Sequence, residues 1–517
     1  MSIDLAIVIA YFVLLLILAL SGKKPDQDNS ESYFLSSRNL RWHSIAISTI
    51  ATNIQGYQFL GMMGSAYLFG LAQANLEINA ITGLWMAAFI FVPLYLKNKV
   101  VTITQFIQKK LNKTVATAYS VANILLFSTI GLGAALFWGA YAADLVFAEY
   151  LTFISEERII RITVLIVVLG MISAFYTYYG GLSAVVRTDI LQFAILVIGG
   201  AVVLFIAINK LGGWEQLYVK KAELMHMHLP SDHPQLPWTL VFGLFLLNIN
   251  YWAANQTVIQ RSLAARSLKD AQIGLMAGGI LKYFMAVIII IPGIALAGIL
   301  EDNPLNEPDQ AFPYMVTNFL PVGVRGLILC ALFASLMSTI DSIFNSLSTL
   351  FSIDIYKEYI NKSATDRQLI AVGRKTIIVT LITGILMGYM LLYVKFENPE
   401  QAFTHTLNEL RYYINCGIVV LICTVVFMVR PSWKLALLAF VSTIPLQIIF
   451  KHFFPEMNYF VRAGWVICCA YAIIAVPTIL KNGIQPSKAY LKFASKELKY
   501  FGIVLLMSMF LIHWVFH

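Results

Sequence analysis

Apolar runs of about twenty residues, each long enough for a helix to cross a hydrocarbon core of about 30 Å, follow one another along nearly the whole chain. They lie near 3–22, 43–69, 73–96, 115–148, 158–179, 186–208, 237–255, 271–300, 321–356, 372–394, 403–430, 433–450, 459–480 and 499–516. In lipid a backbone must satisfy its own hydrogen bonds, so runs of this length fold as helices. The expected fold is an all-α polytopic membrane protein with about 14 transmembrane helices, forming one transmembrane domain over residues 1–517. Composition agrees, because 59% hydrophobic and 12% charged residues leave too little polar surface to cover a soluble globule.

The charges that remain are unevenly placed. Of the 36 Lys and Arg, about 25 fall at 23–42, 97–113, 261–269, 357–375, 430–434 and 481–499 or at Arg187, which are alternate connections. Cytoplasmic loops carry such an excess, so these segments are expected inside and both termini outside. The first run has Asp4 before it and Lys23 and Lys24 after it, the charge order of a retained anchor rather than a cleaved signal. The expected location is the plasma (cell inner) membrane, crossed many times. The net charge of +9 thus reports topology and no nucleic-acid partner. The five cysteines form no spaced framework, and no hydrolase or metal signature is present, so no enzyme activity is expected.

Some residues do not belong in lipid. A charge near a helix centre costs about 2.5–3.5 kcal/mol, so Glu77, Asp189, Lys282 and Asp341, with the pair Glu409 and Arg411, each need a partner, water or a task. The second run carries a polar, glycine-containing stretch from Ala51 to Gln58. It reads either as a break whose freed carbonyls coordinate a small hard cation, or as a packing kink. In the ninth run Ser335, Ser338, Thr339, Ser342, Asn345, Ser346 and Thr349 recur at helical spacing on one face, which suits sodium ligation or close helix packing.

Together with three motifs, these features resemble the sodium/solute symporter family, in its sodium/glucose-type and bacterial sodium/galactose-type branch. The motifs are Tyr179-Gly-Gly-Leu-Ser-Ala-Val-Val-Arg-Thr-Asp189, then Asn250-Tyr-Trp-Ala-Ala-Asn-Gln256 leading to Gln260-Arg261, and Phe319-Leu-Pro-Val-Gly-Val-Arg325 running through the hydroxyl stripe to Ile353-Asp-Ile-Tyr-Lys357. The likeness extends from about Ser32 to Arg430. It implies a five-plus-five inverted-repeat core, with 43–208 and 237–430 as the halves and 3–22 and 433–516 as peripheral helices.

The resemblance further implies sodium-coupled symport of a small polar solute, a monosaccharide first and myo-inositol, an acidic sugar or a nucleoside as alternatives. The expected partners are that solute, sodium as coupling ion and membrane lipid. Sodium is expected at the carbonyls of Ala51 and Ile54 with Ser335, Ser338 and Thr339, Ser335 being able to serve through its carbonyl alone. A second cation position is expected at Asp189, Ser338, Asp341 and Ser342. Solute contacts fall on Gln58, Glu77, Asn248, Lys282 and Asn408, with Tyr251 as inner gate and Trp252 beside it. The chain departs from the family pattern in places: Asn408 replaces a usual glutamine, and Glu409 and Arg411 are unexpected on their helix.

Overall fold

Helices are the dictated solution for this sequence, and the computed structural model consists of them. It describes residues 3–22, 25–54, 56–305, 307–397, 403–482 and 493–517, with the side chains of 56–60, 309, 403–406 and 408 left undescribed. Among the described residues no β-strand occurs, and the extended pairings are isolated bridges such as Leu40 with Ala265.

The chain opens with α1 (Ile3–Ser21) and a short α2 (Ser30–Leu35), then the interrupted pair α3 (Trp42–Asn53) and α4 (Gly56–Phe69). A third crossing is pieced together from α5 (Asn75–Ile78), α6 (Ala80–Met86) and α7 (Val92–Lys97), followed by the surface turn α8 (Ile103–Lys110). Next come α9 (Lys113–Leu126), α10 (Leu132–Leu151), α11 (Arg158–Leu211) and the short α12 (Glu215–Lys221). A second interrupted pair is α13 (Leu240–Ile249) and α14 (Gln256–Leu263), after which α15 (Leu268–Ile299), α16 (Ala311–Phe319) and α17 (Val324–Thr349) follow. The remainder is α18 (Asp366–Glu397), α19 (Phe403–Phe427), α20 (Trp433–Phe453), α21 (Tyr459–Asn482) and α22 (Lys496–Val515).

Among the described residues, 11 helical segments are long and apolar enough to cross a membrane. The sequence suggested more because it counted broken passages as spans, whereas their pieces are individually short. The two runs 158–179 and 186–208 fall in α11, where two helices join across a kink within 54 residues. A straight helix of that length would rise about 80 Å, more than twice a hydrocarbon core, so the kink divides the segment into two pieces of membrane-spanning length. Its one non-helical residue is Gly181 (φ 52°, ψ −150°), where a loop over 180–185 was expected. A Cβ at Gly181 would lie 2.4 Å from the Tyr33 carbonyl oxygen, so only glycine lets α2 sit in this bend. The Tyr33 hydroxyl then donates within reach of the carbonyls of Thr177 (3.2 Å) and Tyr178 (3.0 Å).

The interior lies where α3, α11, α15 and α17 meet, α11 against α17 and α3 against α15 being the most extensive packings. Every residue of α17 from Ile328 to Thr349 is buried, including the whole hydroxyl stripe. One expectation is corrected here. Arg261, counted with the basic loop 261–269, sits on α14 with no exposure and reports nothing about loop charge.

Candidate functional site

Helix α3 ends because Ile54 leaves helical geometry (ψ 104°), its amide making the last bond back to Ile50 at 3.1 Å. A helix end leaves its final carbonyls without intrahelical partners, which is the kind of oxygen expected at Ala51 and Ile54. The second interruption is alike. After a wide turn at Asn250–Ala254 the chain becomes extended at Asn255 (ψ 114°), whose side chain caps α14 by accepting from the Thr257 amide at 2.9 Å.

Beside these interruptions lies a cavity of about 480 Å³, within the roughly 300–1,000 Å³ usual for small-molecule sites. Its wall includes Thr52 and Asn53 from α3, Glu77 from α5, Asn248 from α13, Tyr251 and Trp252 from the turn after it, Lys282 from α15 and Thr339 from α17. Helices distant in sequence thus converge on one polar chamber.

At its centre the Lys282 ammonium donates both to Glu77 Oε2 and to Asn53 Oδ1. All three are buried, and Lys282 Nζ also lies 5.5 Å from the centroid of the Trp252 ring. The pairing answers the cost of burying either charge alone. It leaves the remaining carboxylate and amide atoms able to hydrogen-bond further polar groups. The Asn248 amide donates to the Asn79 carbonyl at 3.0 Å, and the Tyr251 and Trp252 rings meet edge to face with centroids 5.0 Å apart.

On the other side of α3 the hydroxyl stripe is anchored. Thr339 Oγ1 donates within reach of the Thr52 carbonyl (3.3 Å) and the Ser335 carbonyl (3.2 Å), so α17 meets α3 beside its broken end. Ser335 Oγ turns back to donate to the Leu332 carbonyl at 2.9 Å, so its hydroxyl is engaged within its own helix. Ser338 Oγ donates to Asp189 Oδ1 at 2.5 Å, while Ser48 Oγ donates to Asp189 Oδ2. The same carboxylate lies 3.4 Å from the Arg261 guanidinium, which also donates to Ser48 Oγ (3.0 Å) and to Ser342 Oγ. Ser342 is further tied to Thr52 Oγ1 at 2.9 Å. Asp341 faces elsewhere. Its Oδ2 accepts from the Tyr176 hydroxyl, and its buried Oδ1 has no hydrogen-bond partner among the described residues.

Of the expected solute residues, Glu77, Asn248, Tyr251, Trp252 and Lys282 line one chamber, while the side chains of Gln58 and Asn408 lie outside the described residues. Of the expected sodium residues, Thr339 meets α3 at Thr52 next to Ala51 and Ile54, and Ser338 is held by Asp189. Asp189, Ser338 and Ser342 gather around Arg261, whereas Asp341 is bonded to Tyr176. Sequence reasoning missed Asn53 as the partner of Lys282, and it missed Arg261. The available signals were a polar residue inside the broken stretch, for Asn53, and the Gln260-Arg261 pair that closes the second motif, for Arg261.

The comparisons agree with this architecture. The model of the sodium:solute symporter family matches residues 33–441. The chain is 32% identical over 487 residues to a sodium/glucose cotransporter of Vibrio parahaemolyticus, covering 88% of this chain and 86% of that protein. It is 29% identical over 444 residues to a sodium/myo-inositol cotransporter of Homo sapiens, covering 77% and 60%. Among solved structures, a Na+-coupled sialic acid symporter in a substrate-bound outward-open state superposes with a TM-score of 0.80 at 20% identity, covering 94% of this chain and 99% of that one. At that identity the superposition speaks for the fold. The family match spans most of the sequence and the relatives reach 32% identity over nearly all of it, so this chain belongs to the sodium:solute symporter family, multi-pass transporters rather than enzymes, with Na+ as the coupling ion.

Proposed function

We propose that the protein moves a monosaccharide across the plasma membrane together with sodium, by alternating access. The observation that carries this reading is the Lys282, Glu77 and Asn53 group in a cavity between two interrupted helices. Buried charges that are paired yet face a chamber suit hydroxyl recognition, because charged groups hydrogen-bond a hydroxyl more strongly than neutral ones do. The indole of Trp252 offers an apolar face for a sugar ring. A sodium/myo-inositol cotransporter among the relatives makes a cyclic polyol the second reading.

Sodium is assigned to the carbonyls of Ala51 and Ile54 with Ser335, Ser338 and Thr339, where the broken end of α3 meets α17. The second cation position is assigned to Asp189, Ser338, Asp341 and Ser342. The unpartnered Asp341 Oδ1 supports it as an open ligand atom, and Arg261 already supplies positive charge beside Asp189 in this conformation. Gln58 and Asn408 are retained as solute contacts. The two interrupted pairs, α3 with α4 and α13 with α14, each open one of the segments 43–208 and 237–430, as an inverted repeat with its solute site between the halves would have. On this reading the chain makes about fourteen crossings and both termini are outside.

Uptake of labelled neutral hexoses, inositols and sugar acids into proteoliposomes under an inward sodium gradient tests the proposal. Sodium-dependent accumulation of a hexose is the expected result. Accumulation of none of these classes would refute it.

A further inference from the structure

The cavity carries a charge that its centre does not account for. Glu77 is the one carboxylate among the described residues lining it, and Lys282 already neutralises Glu77. A further cation, Arg411, lines the same cavity. Arg411 sits on α19, half-buried, and makes no hydrogen bond or ion pair among the described residues.

Its neighbour in sequence does not supply the missing negative charge. Glu409 accepts from Arg462 at 2.5 Å and from Lys451 at 2.9 Å, cations of α21 and α20. Residues two apart on a helix face different sides, so α19 turns Glu409 toward α20 and α21. The opposite side presents Arg411, Tyr412 and Asn415 to the cavity. A half-buried guanidinium left open in this way attracts an anion, and its planar fork fits one carboxylate through two parallel hydrogen bonds.

We propose that Arg411 selects for a solute bearing a carboxylate, so that the preferred substrate is a sugar acid whose ring hydroxyls meet Glu77 and Lys282 while its carboxylate meets Arg411. The inference rests on the sugar-symport reading above and narrows it. A single guanidinium matches one carboxylate rather than the two charges of a phosphate monoester.

The test compares sodium-driven uptake of glucuronate or galacturonate with that of the corresponding neutral hexose, by the full chain in proteoliposomes. The wild type is expected to favour the acid. Arg411→Gln should raise the KM for the acid about ten- to a hundredfold, the loss expected for a charge-assisted hydrogen bond. The same change should leave the KM for the hexose and the sodium needed for half-maximal uptake unaltered. Arg411→Lys, which keeps the charge and loses the fork, should restore part of the acid preference. Uptake of the hexose without the acid, or an equal shift for both solutes in Arg411→Gln, would overturn the role of Arg411 and leave the sugar reading standing. Uptake of neither solute would overturn both.

Discussion

Lys282 bonds Asn53 one residue before α3 breaks at Ile54, so a side chain of the solute chamber is fixed to the segment proposed to bind sodium. A solute that draws the ammonium away, or a sodium ion that reshapes the end of α3, acts on a shared contact. Two ligands that stabilise the same arrangement bind cooperatively, and the coupling is reciprocal.

Glu77 is the second partner of that ammonium. Glu77→Ala is expected to abolish solute uptake or raise its KM by about tenfold or more, the scale for losing a charged hydrogen bond. Because it also leaves Lys282 buried without its ion pair, Glu77→Gln serves as the control of similar shape. Sodium binding should remain detectable in both. If both Glu77→Ala and Lys282→Ala fold and transport with unaltered solute affinity, the chamber is not the solute site.

Ser338 and Thr339 supply hydroxyls where α17 meets α3 and Asp189. Replacing both by alanine removes two of the about five oxygen ligands proposed for sodium, a loss that should weaken sodium more than folding. Uptake by the double variant is expected to need at least about tenfold more sodium for half-maximal rate, a free-energy cost of about 1.4 kcal/mol. An unchanged sodium dependence in a well-folded variant would move the site elsewhere.

Asp189 holds three partners at once, Ser48, Ser338 and Arg261. Asp189→Asn leaves the fully buried Arg261 without its carboxylate, and breaking a buried pair from one side costs about 3–5 kcal/mol. A marked fall in thermal stability in detergent is the expected outcome, together with a lower sodium-to-solute ratio measured by reversal potential. A ratio of one sodium per solute that is insensitive to the substitution would remove the second cation position.

Much of this arrangement was legible in the sequence, for physical reasons that differ by element. The break in α3 was visible because Thr52, Asn53, Gln55 and Gln58 interrupt an apolar run, and the stripe on α17 because its spacing follows the helix. Glu77 and Lys282 announced themselves as ionisable groups where lipid or protein must compensate them. Arg261 did not. It follows an apolar run and precedes Arg266 and Lys269, so local pattern placed it in a basic loop, and only folding brings Asp189, 72 residues earlier, to its side. The break between 179 and 186 was visible, but not that it is a single-residue bend at Gly181, because a Tyr-Gly-Gly stretch signals a turn without giving its length.

That bend gives a stability test. Gly181→Ala places a Cβ 2.4 Å from the Tyr33 carbonyl oxygen at a positive φ, and backbone strain of this kind costs about 1–3 kcal/mol before the clash is counted. The variant should melt at a clearly lower temperature than wild type, whereas Gly61→Ala, with open space around it and no positive φ, should lose less.

The charge asymmetry can be checked by labelling. A cysteine introduced at Lys110, at the end of the surface turn α8, is expected to resist an impermeant thiol reagent added outside intact cells and to react after permeabilisation. The exposed native Cys468 and Cys469 are replaced beforehand. Selective labelling from outside would reverse the proposed orientation.

The central claim is that a sodium gradient drives a sugar through the chamber held by Glu77 and Lys282. The most direct measurement is accumulation of labelled sugar, neutral and acidic, in proteoliposomes with sodium outside and potassium inside. Concentration of a sugar above the external level, collapsing when the sodium gradient is dissipated and absent in Glu77→Ala, is the predicted result. Equilibration without accumulation, or accumulation that persists with potassium on both sides, would contradict it.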